Sequence, residues 1–204
     1  MTLRLFFSAA SPFVRKVMVV AHERGVEIEK LAAAAWPVKR DPNIVKHNST
    51  GKVPCLLLED DSPIFDSRVI TAYVDSVGQT GPALYPQGGA KFAVLTLEAL
   101  ADSILEAALL HRYETVLRPA DKHWDDWARG QMEKVDSGLD DLEGRWFDTL
   151  SAEFHAGAVA TACLLGYLDF RFAVKDWRSA HPNLAAWFAE VSERPSLVAT
   201  VPVG

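Results

Sequence analysis

Two stretches of this chain carry residue types from which a small-molecule site can be built. Val53-Pro54 follows the glycine-containing turn at Gly51 and leads into the apolar run Cys55 to Leu58. A proline at the first position of a strand is where a cis X–Pro bond fits, turning the N–H and C=O of the preceding residue outward. Thirteen residues on, Asp66-Ser67 precedes Val69, Ile70, Tyr73, Val74 and Val77, which recur at helical spacing. Either residue makes a good N-cap. A helix N-terminus bearing a hydroxyl presents free N–H donors and positive dipole to a carboxylate. A ligand that pairs its backbone with Val53 and places a carboxylate on Ser67 is held at two points. The same residues also make an ordinary hairpin and cap, and both readings stay open here. Lys39, Arg40, Lys46 and Lys52 gather just upstream. They are either a solvated face or the receiver of a second carboxylate.

These stretches need elements to position them. Leu3 to Phe7 reads as a short buried strand, and Ser11-Pro12 is the preferred N-cap followed by the preferred first helical residue. That helix runs to about His22 or Arg24 and stops at Gly25. Val26 to Leu31 is a second strand, and Asp41-Pro42 caps a short helix reaching about His47. Cys55 to Leu58 and Pro63 to Phe65 are two brief strands around the acidic turn Glu59-Asp60-Asp61. Strand, helix, strand, then two strands and a helix is the thioredoxin-like order.

Gln79 to Gly89, rich in Gly and Pro, breaks the composition and marks a domain boundary. Beyond it the pattern is helical. Val94, Leu97, Ala101, Ile104 and Ala108 step by three and four through a segment from 90 to 117, closed by Arg118-Pro119. Glu98, Asp102 and Glu106 form an acidic row on another face, read as solvated. Asp121 is expected to cap a helix reaching Trp146. Gly157 to Val174 is apolar nearly all round, so that helix is central. Pro182 opens another, and Ser196 to Thr200 adds a last turn.

Composition excludes several classes. A chain of 204 residues that is 49% hydrophobic and 24% charged has the make-up of a globular protein of one or two domains. A net charge of −6 argues against a nucleic-acid partner. The longest apolar stretch, Ala156 to Leu168, is shorter than the ~20 residues of a membrane span. The apolar run within Met1 to Ala10 is too short for a signal peptide. Only Cys55 and Cys163 occur, both read as core, which fits a reducing cytoplasm and offers no zinc site.

The ordered set S-P-F-V-R-K after the first strand, G-K-V-P before the third and D-S opening the next helix resembles the cytosolic glutathione transferase superfamily. It is most similar to bacterial members with Ser-Pro-Phe where glutaredoxin-like relatives carry Cys-Pro. Pro82-Ala83-Leu84-Tyr85-Pro86, His181-Pro182-Asn183-Leu184 and Arg194-Pro195-Ser196 extend the likeness over nearly the whole chain. The resemblance implies an α/β plus all-α fold: a thioredoxin-like glutathione-binding domain (1–80), a linker (81–89) and an all-helical C-terminal domain (90–204) lining the electrophile pocket.

It also implies glutathione as co-substrate, a small hydrophobic electrophile as acceptor, no other cofactor and a C2 homodimer. Residue by residue, Ser11 stabilises the glutathione thiolate without itself attacking, with Ser8 the second hydroxyl to weigh. Ser11 as a mere N-cap accounts equally well for the local sequence. Val53 pairs with the cysteinyl backbone beside a cis Pro54. Asp66 and Ser67 hold the γ-glutamyl end, and Lys52 approaches the glycine carboxylate. In the same reading Asp102 meets the ligand's amino group, and His111, Arg112 and Tyr113 border the acceptor pocket. The alternatives are a non-catalytic module with this fold and a glutathione-dependent thiol oxidoreductase, which needs an active thiol. Three departures stand out: Asn48-Ser49-Thr50 in place of Asn-Pro, Asp66-Ser67 in place of Glu-Ser, and His155-Ala156-Gly157-Ala158 in place of a Ser/Thr-x-x-Asp capping box. The first two are expected to weaken glutathione affinity, the third to affect stability.

Overall fold

The computed structural model describes residues 2–204; Met1 lies outside them. The chain divides into two compact units: residues up to Pro86 together with Arg194–Gly204, and Gln87–Glu193. The first is α/β. Its strands β1 (Leu3–Phe7), β2 (Ile28–Ala32), β3 (Cys55–Leu57) and β4 (Pro63–Ile64) form one sheet in the order β2-β1-β3-β4. β1 and β2 are parallel, joined through helix α1 (Pro12–Glu23), whereas β3 runs antiparallel to both β1 and β4. Helix α2 (Pro42–Val45) sits in the β2–β3 connection and α3 (Ser67–Val77) follows β4. The thioredoxin-like order expected from the sequence is therefore realised. β2 starts two residues later than the pattern suggests, because it is an edge strand with mostly exposed side chains and little alternation to read.

Side chains of paired residues project to the same face of a sheet. Phe6, Cys55 and Leu57 accordingly share one face, where Ile44 of α2 completes a buried cluster. Leu5 and Leu56, also paired, lie on the other face and are fully buried. α1 and α3 pack along each other, and α3 reaches β3.

Two polar clamps tie α1 to the C-terminal helix α9 (Pro195–Val198). At one end the Arg15 guanidinium donates to the Leu197 carbonyl at 3.2 Å and to Thr200 Oγ1 at 3.5 Å, while its buried Nη1 has no hydrogen-bond partner among the described residues. At the other, Glu23 accepts a two-pronged pair from Arg194, at 3.0 and 2.8 Å, and a 2.6 Å bond from Ser196 Oγ. Burial pushes the Glu23 carboxyl up, but the hydrogen bonds from Arg194 and Ser196 and the charges of Arg194 and His22 outweigh it, holding the group below its ordinary 4.5. A depressed folded-state value stabilises above the unfolded pKa, and that contribution is lost as pH falls through the folded value. Glu23→Gln is therefore expected to melt below the wild type at about pH 6, the gap closing towards about pH 3. A gap unchanged across that range in thermal melts would count against the clamp.

The second unit is helical: α4 (Ala90–Arg112), α5 (Asp125–Glu143), α6 (Phe147–Ala152), α7 (Ala156–Arg171) and α8 (Pro182–Val191). α7 is buried from Ala156 through Leu168 and packs along α4. Their approach is close enough that a Cβ at Gly157 would stand 2.9 Å from Leu97 Cγ. The missing capping box is replaced by His155, whose Nδ1 accepts from the Ala158 N–H at 3.1 Å. That leaves Nε2 as the protonated nitrogen, 2.9 Å from the Thr149 carbonyl oxygen.

Three expectations need correcting. Glu98 and Asp102 are buried, whereas Glu106 of the same row is exposed as expected. The regular helix of α4 ends at Arg112 and continues as a π-helical turn, Tyr113–Leu117. Asp121 caps nothing, for it lies inside a short 3₁₀ turn, Ala120–Lys122, and α5 begins at Asp125. The buried Glu114 carboxylate serves that helix start from a distance, accepting the Trp124 N–H at 2.8 Å and Arg118 Nε at 2.8 Å.

Candidate functional site

The sheet register assembles the site. β1 and β3 pair Phe6 with Cys55, and β3 and β4 pair Leu56 with Ile64. Continuing both ladders towards the start of β3 sets Val53 in line with Ser8 on one side and Ser67 on the other. The end of β1, the residues before β3 and the start of α3 thus meet at one end of the sheet. This is the arrangement that the separate sequence motifs could only suggest.

The predicted residues of the first unit lie around that end of the sheet, whereas Asp102, His111 and Arg112 lie on α4 and Tyr113 on the π-helical turn that follows. Ser11 is the half-buried N-cap of α1, and its Oγ accepts from the Val14 N–H at 3.3 Å. A hydroxyl has two acceptor lone pairs and one proton. Capping uses a lone pair, and the proton has no acceptor among the described residues, so the cap and donor readings are compatible. Ser8 receives the Ser11 N–H on its carbonyl at 3.1 Å, tightening the turn.

The Val53–Pro54 bond is cis. Among the described residues the Val53 N–H and C=O make no hydrogen bond, which leaves both for an extended ligand backbone. The loop before it is held by Asn48, which is buried. Asn48 Nδ2 donates to the Lys52 carbonyl at 3.0 Å, and its Oδ1 accepts from the Thr50 N–H at 3.1 Å and the Thr50 hydroxyl at 2.7 Å. Thr50, one of the departures noted above, is therefore used to close the turn. Gly51 sits at φ +69° with the Arg40 side chain 3.1 Å from where a Cβ would lie, so the turn needs glycine there. Lys52 is exposed. Arg40 is spent on the Ser49 carbonyl at 3.1 Å.

Asp66, not Ser67, is the N-cap of α3. Its Oδ1 accepts the Arg68 N–H at 3.0 Å and its Oδ2 pairs with Arg68 Nη2 at 2.9 Å. Burial raises the carboxyl, but the hydrogen bonds and charge of Arg68 and the charge of Lys16 outweigh it, so Asp66 is held anionic below the usual carboxylate range. Ser67 is the first helical residue and is buried. Lys16 was missed at the sequence level. It is 1% exposed on α1, yet its charge reaches Asp66. The signal was present as a cation inside an apolar helix face.

Cys55 follows the cis proline in a fully buried strand, and burial pushes its thiol up to about 11. It is a protonated core residue at neutral pH. Among the described residues no cluster of His, Cys, Asp or Glu has the make-up of a metal site, and no helix is long and apolar enough to cross a membrane.

Comparison with known proteins places this geometry. Residues 10–77 match the model of the glutathione S-transferase N-terminal domain, and residues 125–190 that of the C-terminal domain. The uncharacterized GST-like protein YibF of Escherichia coli (strain K12) is 34% identical over 203 residues, 98% of either chain. A glutathione transferase family member from Pseudomonas fluorescens Pf-5, crystallised with bound glutathione, superposes with a TM-score of 0.96 at 44% identity, over 99% of this chain and 100% of that one. A further structure from that organism, with bound S-(propanoic acid)-glutathione, gives a TM-score of 0.91 at 43% identity, over 98% and 100% of the two chains. With a thioredoxin-like unit, a helical unit and relatives matched end to end, the chain belongs to the glutathione S-transferase family.

Proposed function

We propose that this protein conjugates the thiol of glutathione to a small hydrophobic electrophile. The observation that carries the reading is the convergence, at one end of the sheet, of the α1 N-terminus with Ser11, the unpaired backbone of Val53 and the α3 N-terminus with Asp66 and Ser67. The tripeptide pairs its cysteinyl backbone with Val53. Asp66 and Ser67 hold its γ-glutamyl end, Ser67 through its N–H and hydroxyl, and Lys52 faces the glycine carboxylate. Ser11 donates to the sulfur and favours the thiolate. A relative holding S-(propanoic acid)-glutathione supports a site that accommodates a substituted sulfur.

The first domain binds glutathione and the helical one supplies the acceptor's apolar side chains. Ser11-Pro12-Phe13 supports grouping the chain with the bacterial Ser-Pro-Phe members. No other cofactor enters, and the protein works in the cytoplasm as a C2 homodimer. The buried, protonated Cys55 disfavours the thiol oxidoreductase alternative, since the thiolate is the nucleophile in that chemistry.

Isothermal calorimetry with glutathione tests the binding half. Saturable binding to the wild type is expected to weaken ~10-fold or more in Ser67→Ala, the loss of a hydrogen bond to a charged group. Absence of binding at millimolar glutathione would point to a non-catalytic module that kept the fold.

A further inference from the structure

The helical unit holds a second polar cluster, of which the resemblance gives Arg112 and Tyr113 only a place at the border of the acceptor pocket. Tyr167 and Arg171 lie four residues apart on α7 and therefore on one face. Arg112 ends α4 and Tyr113 opens the π-helical turn. α4 and α7 pack along each other, and the charges acting on Tyr167 are those of Arg112, Tyr113 and Arg171. Arg112 and Arg171 also repel one another. Two guanidinium groups and two phenols, carried by α7 and by the end of α4 with the turn after it, thus lie within electrostatic reach of one another.

Three of these groups lack a partner. Tyr167 is 2% exposed, yet its hydroxyl has no hydrogen-bond partner among the described residues. Arg15 Nη1 is the buried side-chain polar atom without a partner among the described residues, so the Tyr167 oxygen keeps some exposure at its tip although the ring is buried. The Arg112 guanidinium likewise makes neither ion pair nor hydrogen bond among the described residues, and the Tyr113 hydroxyl makes no hydrogen bond. Burial pushes Tyr167 up to about 12, so its phenol stays protonated as a donor at neutral pH. Aromatic rings border the group. Phe172 is 5.7 Å from His111 and 6.3 Å from Tyr167, and the Arg171 guanidinium lies 3.8 Å from the Phe170 ring centre.

A cluster of hydrogen-bond donors that includes the unpaired Arg112 guanidinium, with flat apolar neighbours, suits an anion with a planar organic body. We propose that Arg112, Tyr113, Tyr167 and Arg171 form a carboxylate-binding site for a small unsaturated or aromatic acid. Arginine forks match the two oxygens of a carboxylate, and the phenols supply further donors. If the conjugation reading above holds, the preferred electrophile carries a carboxylate; the site itself does not depend on that reading.

Cinnamate and cinnamamide, alike in shape and differing in charge, test it by calorimetry without glutathione. The wild type is expected to bind cinnamate ~10-fold more tightly than the amide, as charge-assisted bonds exceed neutral ones. Arg112→Ala and Arg171→Gln should each erase most of that preference, and Tyr167→Phe part of it, with circular dichroism melts identifying any variant that fails to fold. Arg112→Gln replaces Arg112→Ala if the latter does not fold. Equal affinity for the two probes in the wild type, or an undiminished preference in a folded Arg112 variant, would overturn the site. Because no turnover is read, an inactive enzyme that still prefers cinnamate counts against conjugation alone.

Discussion

Replacing Ser11 by glycine is expected to lower kcat for glutathione conjugation ~10–100-fold while leaving the fold nearly intact. The size follows from the loss of one hydrogen bond to a charged sulfur, about 1.5–3 kcal/mol. Glycine is the informative choice because it keeps most of the N-cap, whereas Ser11→Ala also costs about 1 kcal/mol of helix stability. A free thiol ionises with pKa ~8.5, so only a few per cent is thiolate at about pH 7. A donor that stabilises the thiolate moves the rise in kcat/KM to lower pH, and the variant should move it back up. Ser11→Thr keeps the hydroxyl and should keep the profile. Glutathione turnover unchanged in the glycine variant, with its pH profile in place, would leave Ser11 as a cap only and turn attention to Ser8.

The largest stability effect is expected at Asp75. Arg24 and Asp75 form a buried pair at 2.9 Å, their side chains 9% and 7% exposed. Asp75 also accepts the Leu84 and Tyr85 N–H groups at 2.9 and 3.3 Å, and Arg24 reaches the Gly78 carbonyl at 3.0 Å and those of Thr80 and Gly81. The pair therefore fastens the end of α1 to the end of α3 and to the chain that follows. Asp75→Ala leaves a buried guanidinium without its counter-charge and two backbone donors without an acceptor. Such a break costs about 3–5 kcal/mol, or ~10 °C in melting temperature for a chain of this size. Replacing both partners by apolar residues should recover part of the loss, since no uncompensated charge remains. A melting temperature unchanged in Asp75→Ala would show that the chain is held there by something else.

The local devices of the first unit were legible because each is built from adjacent residues. Ser11-Pro12, Asp41-Pro42 and Asp66 cap helices in the structure as their types and order require, and Val53-Pro54 opens a buried strand. Periodicity located α1, α3, α4, α7 and α8 to within a few residues, since their apolar faces repeat with the helical turn. It failed where a partner distant in sequence does the work. α5 starts at Asp125 because Glu114 supplies the acceptor, and no local pattern announces a cap ten residues upstream. α6 falls between Trp146 and Gly157, where no element was expected, because six residues are too few to show a helical period.

By itself, then, the sequence determined the order of elements, the capped helix starts and the residues able to meet a tripeptide, because these rest on dihedral preference and spacing along the chain. Which of these residues meet is set by strand register and helix packing. Antiparallel register brings the Ser8–Ser11 turn, Val53 and Ser67 to one end of the sheet, across separations that no spacing rule encodes. Glu98 and Asp102, which looked like part of a solvated row, are buried in the fold, whereas Glu106 is exposed. The approach of α7 to α4 set Tyr167 and Arg171 against Arg112 and Tyr113. In each case the deciding quantity is how near, or how deeply buried, residues remote in sequence end up, and a one-dimensional pattern carries neither.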